Sequence, residues 1–230
     1  MERLPILLIP GLACSARLFA SQVAALWPSG PVTVANHCRS GTIAEIARAI
    51  LDEAPPRFAV AGLSLGGYLT MEIWRQAPDR VTRLALIDTS ARPETPEATK
   101  VREARIALAQ GGQFRKAMDE QFAVAVHEDN KKAIEAVFFA MADESGVDAY
   151  VAHQRAIMTR PDSRPTLKTI TCPALVIVGA DDKLTPPDHA KEMSDGIKGA
   201  RLVTIPACGH MSTMERPAAV NEALLAWLKA

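Results

Sequence analysis

Phe58 to Trp74 reads F-A-V-A-G-L-S-L-G-G-Y-L-T-M-E-I-W. Its first six residues form a continuous apolar run of strand length, and a helical pattern opens at Leu65. Between them, Gly62-Leu63-Ser64-Leu65-Gly66 has the G-x-S-x-G form of a nucleophile elbow. A serine on a sharp strand-to-helix turn has a strained backbone, so the residues two positions either side of it must lack bulk. Gly62 and Gly66 satisfy that condition, and Gly67 lets the helix lie close to the sheet. The helix start aims unpaired N–H groups and a positive dipole end at the serine oxygen. Ser64 is therefore the candidate nucleophile.

Strand-like runs lie on both sides of this stretch. Leu4 to Ile9 (L-P-I-L-L-I) ends in Pro10-Gly11, and Pro31 to Ala35 is a second run. Arg83 to Asp88 follows the elbow helix, while Pro173 to Gly179 and Arg201 to Ile205 lie late in the chain. Unbroken apolar runs belong to strands covered on both faces, as in parallel sheets. Helical patterns separate them: Ser15 to Leu26, Thr42 to Glu53 with Glu45 completing a capping box, Pro187 to Ile197, and Ala218 to Lys229. The alternation predicts an α/β fold with a mostly parallel, doubly wound sheet of about six strands.

That rhythm stops at Arg92. From there to Lys168 only helical patterns occur: Lys100 to Gln110, Phe114 to Val126, Lys131 to Asp143 and Val147 to Met158. Prolines 93, 96, 161 and 165 mark the edges. The expectation is a core of residues 1–91 and 169–230 carrying an inserted helical cap, residues 92–168, of roughly 75 residues.

Composition narrows the function classes. The 230 residues carry 26 basic and 26 acidic side chains, which leaves no electrostatic footprint for nucleic acid or an anionic membrane. No apolar run reaches transmembrane length, and Leu4 to Leu12 lacks a signal-peptide cleavage pattern. Cys14, Cys38, Cys172 and Cys208 stand far apart without a C-x-x-C pair, so no metal site is expected. A reduced, cytoplasmic protein without a cofactor is the reading, acting as monomer or homodimer on a small molecule. Cys14 and Cys208 read as small buried hydrophobes rather than redox groups.

A serine hydroxyl needs a base to take its proton, and the base needs an orienting acid. Of the five histidines, His210 in Cys208-Gly209-His210-Met211 directly follows the last predicted strand, at the sheet edge where parallel-sheet sites form. His37, after the second strand, is the alternative. His127 and His153 fall on predicted cap helices and His189 on a later helix, and all three read as structural or surface residues. For the acid, Gly179-Ala180-Asp181-Asp182 ends a strand. Asp182 is preferred, Asp181 reads as a turn residue, and Asp88 is a geometric competitor. The resulting order Ser64, Asp182, His210 is the one this elbow architecture requires. The charge that develops on an attacked carbonyl needs backbone donors, assigned to the N–H groups of Leu65 and Leu12. Phe138, Phe139 and Met141 are the candidates for lining a pocket over Ser64.

Four segments, L-L-I-P-G-L, A-G-L-S-L-G-G-Y-L, L-V-I-V-G-A-D-D-K-L-T-P-P and C-G-H-M-S-T-M-E-R-P, together resemble the α/β-hydrolase superfamily with a helical cap. Within it the chain looks like the small bacterial esterases and lactonases related to 3-oxoadipate enol-lactonases. In such proteins the acid stands three residues after the glycine that ends its strand, which supports Asp182. Two departures accompany the resemblance. Pro10-Gly11 stands where the family usually has His-Gly, and the chain begins almost at its first parallel strand, implying six strands rather than eight. The resemblance implies a Ser-His-Asp hydrolase acting on a small carboxylic ester or lactone through an acyl-enzyme. Carbon–carbon bond hydrolysis, thioester hydrolysis and acyl transfer would use the same residues. A hydrolase-fold protein that binds a ligand without turning it over is the rival from another class.

Overall fold

The computed structural model describes residues 4–39 and 41–230. Six strands, β1 (Ile6–Ile9), β2 (Val32–Val34), β3 (Phe58–Leu63), β4 (Val81–Ile87), β5 (Ala174–Gly179) and β6 (Arg201–Ile205), form one sheet in the order β2-β1-β3-β4-β5-β6. All five pairings are parallel. The expected doubly wound α/β sheet is what the chain forms.

Burial follows position in the sheet. Every residue of β1, β3 and β5 is buried, as strands covered on both faces require. The edge strands differ: β2 is half-exposed, and β6 is exposed or half-buried until Ile205. Short, polar-leaning edges of this kind blunt edge-to-edge pairing.

Helices α1 (Ala20–Leu26), α2 (Ile43–Glu53), α3 (Leu65–Gln76), α8 (Pro187–Gly196) and α10 (Pro217–Lys229) flank the sheet. From β1 the chain moves outward through α1 to β2, then crosses back through α2 to β3 and proceeds the other way. Right-handed crossovers therefore put α1 on one face and α2, α3 and α8 on the other. The packing agrees, since α1 lies against α10 and α2 against α3. The reversal between β1 and β3 is the topological switch point, so the loops after these strands open a crevice at their carboxyl ends.

Between β4 and β5 lie α4 (Pro96–Leu108), α5 (Phe114–Ala125), α6 (Lys131–Met158) and the single turn α7 (Arg164–Leu167). No strand interrupts them. Boundaries differ from expectation in instructive places. α4 starts four residues early because Thr95 caps it and Pro96 suits the first turn. The two helices expected from Lys131 are one run broken at Gly146, whose φ of 78° is left-handed. The helix expected from Ser15 opens with a tighter 3-10 turn, Ala16–Phe19. β4 starts at Val81, two residues before the expected Arg83, and ends before Asp88. No helix among the described residues is long and apolar enough to cross a membrane.

Candidate active site

Ser64 sits at the sharp turn from β3 into α3 with φ 55° and ψ −113°, a backbone conformation costly for a residue with a Cβ. The chain tolerates it because its neighbours interlock. A Cβ on Gly62 would stand 2.1 Å from the Gly66 carbonyl oxygen, and one on Gly66 would stand 1.9 Å from that of Ile9. The Ser64 carbonyl accepts from the Thr89 hydroxyl at 2.8 Å and from Gly67 N–H at 2.8 Å. The turn is thus held from β1, β4 and α3 together.

His210 follows β6 and is buried. Its Nε2 lies 2.8 Å from Ser64 Oγ, and its Nδ1 lies 2.8 Å from Asp182 Oδ2. Asp182 is buried too; its Oδ1 accepts from Leu184 N–H at 2.8 Å and Thr185 N–H at 2.9 Å. The Thr185 hydroxyl donates to Asp182 Oδ2 at 2.8 Å and lies 3.2 Å from His210 Nδ1. The structure thus brings Ser64, His210 and Asp182 into one hydrogen-bonded line. Burial opposes a charged ring at His210, but the adjacent Asp182 carboxylate, aided by Asp88 and Glu215, holds the histidine above its ordinary pKa. Burial likewise opposes charge on Asp182, yet His210 and the hydrogen bonds it accepts hold it low. The site is built for an ionised acid beside an imidazole that can become imidazolium.

The competitors are committed elsewhere. Asp88 is fully buried, and its carboxylate accepts from Gly179 N–H and Ser212 N–H, both at 3.0 Å, tying the end of β5 to the histidine loop. Burial, and then the nearby Asp182 charge, push it up to about 7. His37 is buried, donates from Nε2 to the Gly11 carbonyl at 2.9 Å, and stacks on His153 with ring centroids 4.6 Å apart. Burial and the facing His153 lower it to about 3, so it stays neutral. His127 lies in the turn after α5 rather than on a helix; its ring is 3.7 Å from the Asp181 carboxylate. Cys14 and Cys208 are buried, and burial drives both thiols up, Cys14 to about 12, which removes thiolate chemistry.

Gly11 packs against the elbow: a Cβ there would lie 3.5 Å from Ser64 Cβ. Leu12 follows it at the cavity wall, and Leu65 is the first residue of α3. Among the described residues, neither N–H meets an acceptor in the chain.

A cavity of about 530 Å³ opens over Ser64 and His210. Its walls include Leu12, Tyr68 and Leu184, with Arg102, Gln121 and Ile157 from the helices between β4 and β5. The expectation for Phe138, Phe139 and Met141 needs correcting, because none of the three reaches this cavity. Phe138 and Phe139 pack with Phe122 at centroid distances of 5.0 to 5.4 Å, and Met141 is wholly buried. They are the interior of the helical layer.

Glu215, on the short helix α9 (Ser212–Glu215), escaped the sequence reading. Its Oε2 accepts from the N–H groups of Gly209 and His127 at 3.0 Å and from Asn130 Nδ2 at 2.8 Å. Its Oε1 accepts from Met211 N–H at 3.0 Å. His210 N–H in turn donates to the Ala125 carbonyl at 2.7 Å. One buried carboxylate therefore fastens the histidine loop to the turn between α5 and α6. Thr185 was likewise overlooked. For Glu215 the only signal was a carboxylate five residues after the histidine, in M-E-R-P (Met214 to Pro217).

Elbow, line of three side chains and switch-point crevice define the class. A model of the alpha/beta hydrolase family matches residues 6–223, and the chain belongs to that family. Among its relatives, a Variovorax paradoxus protein with the provisional name carbamate hydrolase RutD is 30% identical over 247 residues, covering 97% of this chain and 91% of its own. The enol-lactonase of Burkholderia xenovorans superposes with a TM-score of 0.90 at 26% identity, covering 100% of this chain and 93% of that one. A thermophilic esterase of Thermogutta terrifontis gives 0.87 at 26% identity, over 98% and 89%.

Proposed function

We propose that this protein is a serine hydrolase that cleaves a small carboxylic ester or lactone through an acyl-enzyme. The observation that carries the reading is His210, whose ring bridges Ser64 Oγ and Asp182 Oδ2 at 2.8 Å on each side. Ser64 Oγ attacks the carbonyl carbon as His210 Nε2 takes its proton. Asp182 remains ionised and stabilises the imidazolium. The N–H groups of Leu12 and Leu65 receive the developing oxyanion. Collapse of the tetrahedral adduct expels the alcohol, which takes the proton from His210, and leaves the acyl group on Ser64. Water, deprotonated by His210, then attacks the acyl carbon and returns Ser64.

Residues 92–168 are assigned as the cap and residues 1–91 and 169–230 as the core. Four free cysteines suit a reducing compartment, and the cytoplasm is our assignment. The names of the relatives, a lactonase, an esterase and a carbamate hydrolase, share hydrolytic acyl transfer. Thioesters and carbon–carbon bonds next to a carbonyl would meet the same groups.

Turnover of 4-nitrophenyl esters of increasing acyl length by wild type and Ser64→Ala, beside fluorophosphonate labelling, tests the reading. Hydrolysis that vanishes with Ser64 supports it. Labelling without ester hydrolysis would redirect the substrate to a lactone, thioester or diketone. Absence of both would leave a ligand-binding protein.

A further inference from the structure

The cap-side wall of the Ser64 cavity is cationic, and its charges are unequally committed. Arg92, Arg102, Arg105 and Arg160 line it, Lys183 lines the same cavity from the core, and Glu94 is the one carboxylate among the lining residues. The Glu94 side chain is buried and pairs with both Arg102, at 2.9 Å, and Arg160. Arg92 is held by Asp188 at 3.0 Å and Glu192 at 2.7 Å. Arg105, on α4, has no ion-pair partner among the described residues, and its buried Nε has no hydrogen-bond acceptor. On the facing helix α5, Gln121 is only 9% exposed, lines the same cavity, and carries a buried amide oxygen without a partner.

Buried polar atoms without partners are expensive and scarce in native proteins. A guanidinium N–H and an amide left open on the wall of one cavity describe a place for a ligand's acceptor. The amide of Gln121 can turn its NH₂ to that acceptor by rotating about its terminal bond. We propose that Arg105, assisted by Gln121, anchors a carboxylate of the substrate, so that the enzyme selects esters or lactones carrying a free carboxylate away from the scissile bond. This rests on the hydrolase reading above, and narrows its substrate class. A carboxylate fits better than a phosphate monoester. One uncommitted buried-side guanidinium matches a single negative charge, whereas a phosphate carries nearly two. Lys183, the other cation without an ion pair, is exposed. An anchor remote from the reacting carbonyl fixes the ester against Ser64 and turns binding into rate.

The test has a kinetic and a binding arm. In the first, kcat/KM is measured for two matched pairs with spontaneous hydrolysis subtracted. One pair is 4-nitrophenyl hemiesters of dicarboxylic acids against their ω-methyl esters; the other is 4-carboxyphenyl butyrate against its methyl ester. Wild type, Arg105→Met and Arg105→Lys are compared by the ratio of charged to neutral substrate. The ratio is expected to fall about ten- to a hundredfold in Arg105→Met in at least one pair, with Arg105→Lys between. A ratio unchanged in both pairs, in variants whose Ser64 still labels with fluorophosphonate, overturns the proposal. The second arm needs no turnover: Ser64→Ala is titrated calorimetrically with monomethyl and dimethyl glutarate, alone and combined with Arg105→Met. Tighter binding of the monoester that disappears with Arg105 supports the anchor even if no ester is cleaved; equal binding of the two probes counts against it while leaving the hydrolase reading intact.

Discussion

On the core side of the cavity, Ser64, His210, Asp182 and Thr185 form an unbroken run of hydrogen bonds, and the strained turn beneath them is held from three elements. On the wall formed by the helices between β4 and β5, Arg105 and Gln121 carry buried polar atoms with no partner among the described residues. His189, on α8 at the edge of the same cavity, shares that state at Nδ1. A fully satisfied polar network is rigid and specifies one geometry. A wall with open donors and acceptors is completed by what binds to it. The contrast separates the proposed chemistry, prepaid by the fold, from the proposed substrate choice, which falls to the helical layer between β4 and β5.

The largest expected effect strikes the core side alone. Ser64→Ala should lower kcat by about 10⁴-fold or more, since the proposed acyl-enzyme forms on that hydroxyl. Substrate binding, read by equilibrium titration, should survive. Loss of binding along with turnover would erase the division between the two walls.

Asp182→Asn comes next, at about 10³- to 10⁴-fold in kcat. Its sharper signature is in the pH profile. The base must be neutral, and Asp182 holds His210 above its ordinary value. Wild-type kcat/KM should therefore fall, as pH falls, through a pKa higher than 6.5. In Asp182→Asn this limb should move to lower pH, because the carboxylate that favours the imidazolium is gone. Asp88→Asn should move it the same way by less, as the Asp88 charge favours the imidazolium without a hydrogen bond to the ring. A limb that stays put in Asp182→Asn would mean that another group titrates.

Glu215→Gln tests whether the two walls are joined. The carboxylate oxygens accept four hydrogen bonds, three from N–H groups of the histidine loop and the cap turn and one from Asn130. An amide must present an NH₂ to donors on one side. The expected cost is about 2 to 3 kcal/mol in urea unfolding, with activity reduced as His210 loses its support. Unchanged stability would show that the cap turn and the histidine loop are independent.

What could be read from the chain follows the same division. Ser64, Asp182 and His210 stand at the ends of strands inside short local motifs, so spacing along the sequence was enough to bring them together. The tethering role of Asp88 and the whole of Glu215 were missed because decisive partners lie far off, at Gly179 and Ser212 for one and at His127 and Asn130 for the other. No period in the sequence announces such contacts. Phe138 and Phe139 were chosen as pocket residues for being aromatic, yet aromatic side chains on a helix in a small layer are its interior, with Phe122 as their partner. The helical residues that do line the cavity are scattered, Arg102 and Arg105 on α4, Gln121 on α5 and Ile157 on α6, and no single period in the sequence groups them.

The smallest effect isolates the backbone of the elbow. Ser64→Ala and Ser64→Gly both remove the hydroxyl and its bond to His210, so their difference in stability reports the turn itself. Replacing glycine by alanine ordinarily stabilises a protein by about 0.4 to 1 kcal/mol, because the unfolded chain has fewer states to lose. At φ 55° and ψ −113° the sign should reverse. A Cβ in such a conformation costs about 1 to 3 kcal/mol, and glycine is spared it. Ser64→Gly should therefore be more stable than Ser64→Ala by about 1 kcal/mol in urea unfolding. Equal stability, or the ordinary preference for alanine, would mean that the elbow relaxes in solution. The core wall would then be less fixed than the cap wall it is set against.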